Sequence, residues 1–152
     1  MVISSSDSKI NTLLLGYSWT GKSGASSTIN YAFEIPASSN IPSTVTVPID
    51  VTDINKGRIR SAMDVWENIA NVKFVKNDTT PQITFAEGKI AVDAGVTHID
   101  GGNVIENKLD NANIFFASNI VDYAPGTYLG GTVLHEIGHA LGFTYSAINI
   151  VG

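Results

Sequence analysis

The stretch His135-Glu136-Ile137-Gly138-His139-Ala140-Leu141-Gly142 constrains this chain more than any other part of it. Residues four apart lie about one turn apart on the same face of an α-helix. On a helix, His135 and His139 can therefore bring their imidazoles to one metal ion. Glu136 then projects beside them, close enough to handle the proton of an attacking water. That is the arrangement zinc hydrolases use. The flanking Leu134, Ile137, Ala140 and Leu141 are apolar, so the helix is expected to be mostly buried, histidines included. Two buried imidazoles and a carboxylate are costly to keep unpaired, and a metal ion removes that cost. Without a metal, the same residues make a hydrogen-bonded polar patch. A bare H-E-x-x-H fixes only three positions and recurs on unrelated helices; its longer form, H-E-x-x-H-x-x-G-x-x-H, is more specific. Gly142 stands where that form turns the chain, and glycine suits the left-handed turn that ends a helix. The third histidine of the longer form is replaced by Tyr145.

Length and composition bound the rest. A chain of 152 residues with a hydrophobic share of 43% fits one domain with a real core. We therefore read residues 1–152 as a single domain, with the polar residues 1–12 loosely held. A net charge of −5 argues against binding nucleic acid through its phosphates. No apolar run is long enough to cross a bilayer, so neither nucleic acid nor a membrane is an expected partner. Met1 to Ser6 lacks the basic and apolar regions of a secretory signal. Cysteine is absent, which excludes disulfides, thiol catalysis and Cys-zinc sites. Any metal site must draw on His, Asp, Glu or Tyr.

Periodicity supplies the elements. Thr28 to Glu34 alternates apolar and polar residues and reads as a strand. Pro36 to Pro48 reads as a loop. From Asp53 to Ala70, the positions Ile59, Ala62, Met63, Trp66, Ile69 and Ala70 recur at helical spacing. Thr52 or Asp53 can cap that helix, and Gly57 weakens its first turns. Strands are expected at 72–75, 82–86 and 113–118, with a short one at 95–99 in a region rich in Gly and Asp. The final helix runs from about Tyr128 to Leu141. Two helices among short strands imply an α+β, or mixed α/β, sheet with the motif helix packed against it.

With the motif in place, the chain resembles the metzincin metallopeptidases and, within them, the serralysin-like secreted bacterial proteases. The likeness covers most of residues 28–143. Met63 to Phe74 looks like the family's first long helix running into a strand, and Pro81 to Phe85 like its next strand. Tyr128 and Thr132 match the approach to its zinc helix. The resemblance implies a twisted, mostly parallel sheet with an antiparallel edge strand, one long packing helix and the zinc-motif helix. It also implies a zinc-dependent endopeptidase that is secreted, with Zn²⁺ held by His135 and His139 and Glu136 as general base. The residues Asn113, Ile114, Phe115, Phe116, Ala117 and Ser118 would correspond to the edge strand that pairs with an extended polypeptide substrate by β-addition.

The departures from that family are equally specific. Tyr145 takes the third-ligand position, and no His, Asp, Glu or Met follows His139. The methionine-containing turn, the lower wall of the cleft and the calcium-binding repeats of the family have no counterpart. Three expectations follow: a piece of a longer protease; a minimal enzyme completed by the Tyr145 phenolate, a carboxylate or a partner chain; or a degenerate module that binds zinc or peptide without turnover. Tyr145 as a packing or surface residue stands beside Tyr145 as ligand. His98 is the one remaining histidine, a further ligand candidate or a solvent-facing residue. Asp93, Asp100, Asp110 and Asp122 offer the hard oxygens Ca²⁺ prefers, though solvated turns account for them and no EF-hand spacing is present. Phe115 and Phe116 fall on opposite strand faces, so one of them could line a cleft. Cleavage preference and oligomeric state are not encoded legibly.

Overall fold

The alternating run ahead of Pro36 forms β1 (Ser27–Phe33), and the helical spacing that follows it forms α1 (Asp53–Ile69). The computed structural model describes residues 18–22, 25–91, 93–103, 106, 108–119 and 123–143. Residues 1–12 and Tyr145 lie outside the described residues. Helix α1 buries Asn55, Ile59, Ala62 and Met63 on one stripe and returns the chain to β3 (Val72–Lys76). Glu67 fastens that return, accepting from the Phe74 amide at 2.7 Å and the Lys73 ammonium at 2.8 Å. These two donors hold the Glu67 carboxyl below its ordinary pKa, Lys73 having the larger effect.

The sheet continues with β4 (Ile83–Ile90), β5 (Gly95–Ile99) and β8 (Ala112–Ala117). Its order is β3-β1-β4-β8-β5. The first four strands run parallel and β5 is antiparallel to β8. A short strand, β2 (Val45–Ile49), pairs antiparallel with the distal half of β4, taking over where β1 ends. The hairpin β6 (Gly102–Asn103) with β7 (Lys108–Leu109) forms a separate two-stranded ribbon. This is an α+β architecture with a mostly parallel sheet and an antiparallel edge, as expected from the sequence.

The second helix, α2 (Tyr128–Ala140), lies on the same face of the sheet as α1. Ile59 and Met63 of α1 and Val133, Ile137 and Ala140 of α2 meet Ile29, Phe85, Ile114 and Phe116 of the sheet in one core. The opposite face carries a smaller apolar cluster of Val45, Ala86 and Phe115. Phe115 and Phe116 do sit on opposite faces, but both are fully buried, so neither lines a cleft.

Three elements correct the sequence reading. The stretch Pro36–Pro48 is not loop throughout: β2 begins at Val45. Its irregularity hid it, because the register shifts between Thr46 and Ile49 and Val47 has φ of 50°. Proline and a left-handed β-branched residue both argue against a strand when read locally. Strand β4 runs on to Ile90, beyond the expected Ala86, because β2 and β8 both extend along it. Most consequential, Asn113–Ser118 is not an edge. β8 is flanked by β4 on one side and β5 on the other, so its backbone groups are occupied and the edge belongs to β5.

Gly57 stands within α1, exposed, and a Cβ there would meet nothing within 4 Å. Gly57→Ala is expected to stabilise the protein by about 0.5–1 kcal/mol, read as a higher urea midpoint at unchanged slope.

Candidate metal and catalytic site

Helix α2 starts at Thr127, whose side chain accepts from the Gly130 amide at 3.0 Å and donates to the Ala124 carbonyl at 2.7 Å. This satisfies an otherwise orphan donor of the first turn. Two tryptophans then hold the helix from outside. The Trp66 indole on α1 donates to the Leu134 carbonyl at 3.1 Å, and its ring lies 3.1 Å from where a Cβ on Gly138 would stand. The Trp19 indole donates to the Ala140 carbonyl at 2.9 Å, an acceptor that the end of the helix would otherwise leave unpaired.

Gly142, with φ of 101°, terminates α2. The Phe143 amide bonds the Gly138 carbonyl at 3.0 Å and the Gly142 amide bonds the His139 carbonyl at 2.9 Å. This is the paired closure of a Schellman motif. It has a chemical consequence, because the turn delivers the Phe143 carbonyl to Nδ1 of His139 at 2.8 Å. A carbonyl can only accept, so His139 carries its proton on Nδ1 and presents the Nε2 lone pair. That second contact is how metal-binding histidines are usually oriented.

Nε2 of His135 and Nε2 of His139 face each other at 2.9 Å. Two nitrogen ligands of one tetrahedral zinc stand about 3.3 Å apart, given Zn–N distances of roughly 2.0–2.1 Å. An opening of a few tenths of an ångström would therefore admit the ion. Burial, and secondarily the neighbouring His139, hold His135 below its ordinary pKa, which favours the neutral imidazole a metal requires. The donor chemistry thus fits zinc at two positions. Among the described residues, no group of three His, Cys, Asp or Glu side chains completes it. His98 does not supply the third. It follows Thr97 on β5, and the pleat places it on the face away from α2, opposite Asn113. Asp93, Asp100 and Asp110 do not gather into a metal-binding group with one another, and Asp122 lies outside the described residues.

Glu136 is the most buried member of the motif, only 3% exposed. Burial pushes its carboxyl above the ordinary carboxylate range; the Thr97 hydrogen bond and His139 work against that shift, and Asp93 with it. The Thr97 hydroxyl lies 2.7 Å from Glu136 Oε2. Gly95 gives the carboxylate its space, for a Cβ there would stand 2.8 Å from Glu136 Cγ and 3.0 Å from Thr132 Cγ2.

The pairing of β5 also shows which backbone groups are open. The Ala117 amide bonds the Ala94 carbonyl and the Asp100 amide bonds the Asn111 carbonyl. In an antiparallel ladder bonded pairs alternate with non-bonded ones. Val96 and His98 therefore bond β8, while Gly95, Thr97 and Ile99 turn their N–H and C=O groups outward. Among the described residues, no strand pairs with that edge.

The sequence reading located His135, Glu136 and His139, and the structure brings them together on one buried helix. It missed Gly95, Thr97 and the Phe143 carbonyl. Only Gly95 left a signal, since glycine inside a strand marks a close approach. No family model matches the chain, and comparison with curated proteins finds no match.

Gly95→Ala forces Glu136 and Thr132 aside in a packed layer. A loss of about 1–3 kcal/mol in urea unfolding is expected; unchanged stability would show that this layer has room to spare.

Proposed function

We propose that this chain is a zinc-dependent endopeptidase domain of the metzincin type, with a serralysin-like secreted protease as its nearest model. The observation that carries the reading is the buried helix turn with His135 and His139 converging through Nε2 and Glu136 beside them. Zinc, when bound, supplies Lewis acidity that lowers the pKa of water and polarises a carbonyl.

The chain's own residues do the rest. The open edge of β5 offers the N–H and C=O groups of Gly95, Thr97 and Ile99 to an extended polypeptide, which joins the sheet as a further antiparallel or parallel strand. This edge replaces Asn113–Ser118 as the substrate-binding strand. Glu136 then takes the proton of the attacking water and passes it to the leaving amine. Its raised pKa suits a group that must both accept and release a proton near neutrality. No Ser or Cys nucleophile is required.

A second reading is favoured by the donor count: the described residues supply two imidazoles and no third metal-binding side chain beside them. In that reading the chain is a degenerate module that binds zinc or peptide without turnover, and Tyr145 has no role at the metal.

Glu136→Ala separates the two. In the hydrolase, the zinc-loaded variant loses about 10²–10⁴-fold in peptide hydrolysis while still retaining zinc. Hydrolysis that persists undiminished in Glu136→Ala rules out the mechanism. A wild-type chain that binds zinc and peptide but cleaves nothing selects the module.

A further inference from the structure

Thr97 belongs to two systems at once. Its main-chain N–H and C=O face the open edge of the sheet, by the alternation of bonded pairs along β5. Its side chain stands on the α2 face, with Oγ1 2.7 Å from Glu136 Oε2 and 2.9 Å from the Glu136 carbonyl oxygen. A hydroxyl has one proton to give, and a carboxylate is the stronger acceptor. Among the described residues, Thr97 alone donates a hydrogen bond to this carboxylate. Gly95, two residues earlier on the same face, leaves no slack beside Glu136 Cγ. One short strand therefore fixes both the rotamer of Glu136 and the orientation of one of its oxygens.

We propose that Thr97 is a positioning residue for Glu136, and the link between the substrate edge and the proton-transferring carboxylate. This rests on the reading of Glu136 as general base. The Thr97 hydroxyl anchors Oε2, so Oε1 is the oxygen that receives the proton from water. The water O–H bond breaks, its electron pair becomes the new C–O bond, and Thr97 neither gains nor loses a proton. A polypeptide strand docking on β5 bonds the main chain of the residue that holds the base. Strand addition and base alignment are in this way parts of one contact.

The test compares Thr97→Val and Thr97→Ser with the wild-type chain, measuring kcat and KM on a fluorogenic peptide, zinc affinity and the urea midpoint. Valine keeps the shape and the backbone but removes the donor. Its kcat should fall about 10–100-fold, as when a hydrogen-bonded supporting partner is removed from a metal site, with KM and zinc affinity unchanged. Serine should restore most of that loss. A purely structural role would lower the urea midpoint without separating kcat from KM, and an unchanged kcat in Thr97→Val overturns the proposal.

A second readout needs no variant and no turnover. In the metal-free wild-type protein, the Thr97 hydroxyl proton should exchange slowly and show a nuclear Overhauser contact to the Glu136 side chain. Rapid exchange overturns the proposal even if Thr97→Val does not fold. Failure of the hydrolase reading looks different: a zinc-loaded wild-type chain that cleaves no peptide, or a Glu136→Ala variant that still does, overturns both.

Discussion

Burial of the Glu136 carboxylate between α2 and β5 is the constraint that organises this molecule. A charge taken out of water needs compensation, and the surroundings supply it from several directions. Thr97 donates a hydrogen bond, His139 favours the ionised form, and Gly95 withholds a side chain so that the carboxylate fits at all. All of this requires β5 to run directly beneath the motif helix. It also requires β5 to be the last strand, since only an edge can host the carboxylate on one face and keep a row of backbone groups open beside it.

The helix itself is held against sliding or rolling. Trp66 and Trp19 grip carbonyls near its two ends, and Gly138 lets the Trp66 ring approach to the backbone. The closing turn at Gly142 does more than stop the helix. By returning the Phe143 carbonyl to His139 Nδ1, it sets the tautomer of an imidazole four residues upstream. A single left-handed residue is in this sense part of the site's chemistry. The Trp66 ring also packs on Phe143 at 5.4 Å between centroids, so the same side chain braces both the helix and the turn that tunes it.

Much of the architecture was legible because it is written in local periodicity. Helix α1 announced itself through Ile59, Ala62, Met63 and Trp66, and α2 through its motif and Gly142. Strands β1 and β3 and the start of β4 were clear from alternation. Strand β2 was not, because its bulge and the positive φ at Val47 depend on pairing with β4 rather than on local preference. The edge was misassigned for a related reason. Ala112–Ala117 and Gly95–Ile99 are both short strands, and nothing within either says which one lies outside. The fully buried pattern of β8 fits an interior strand, but that pattern belongs to the fold and cannot be seen in the residue string alone.

The sequence by itself determined the chemistry available: two imidazoles and a carboxylate on one helical face, a glycine to end that helix, and no thiol or basic surface to suggest anything else. Spacing along one helix is a local property, so it survives into any fold that keeps the helix. The tertiary structure decided which strand lies beside that face, which hydroxyl holds the carboxylate, which carbonyl orients His139, and which edge stays open to a polypeptide. Those contacts join residues tens of positions apart, as Thr97 to Glu136 and Trp19 to Ala140 do. Strand order and helix docking bring them together, and no periodicity in the sequence encodes either.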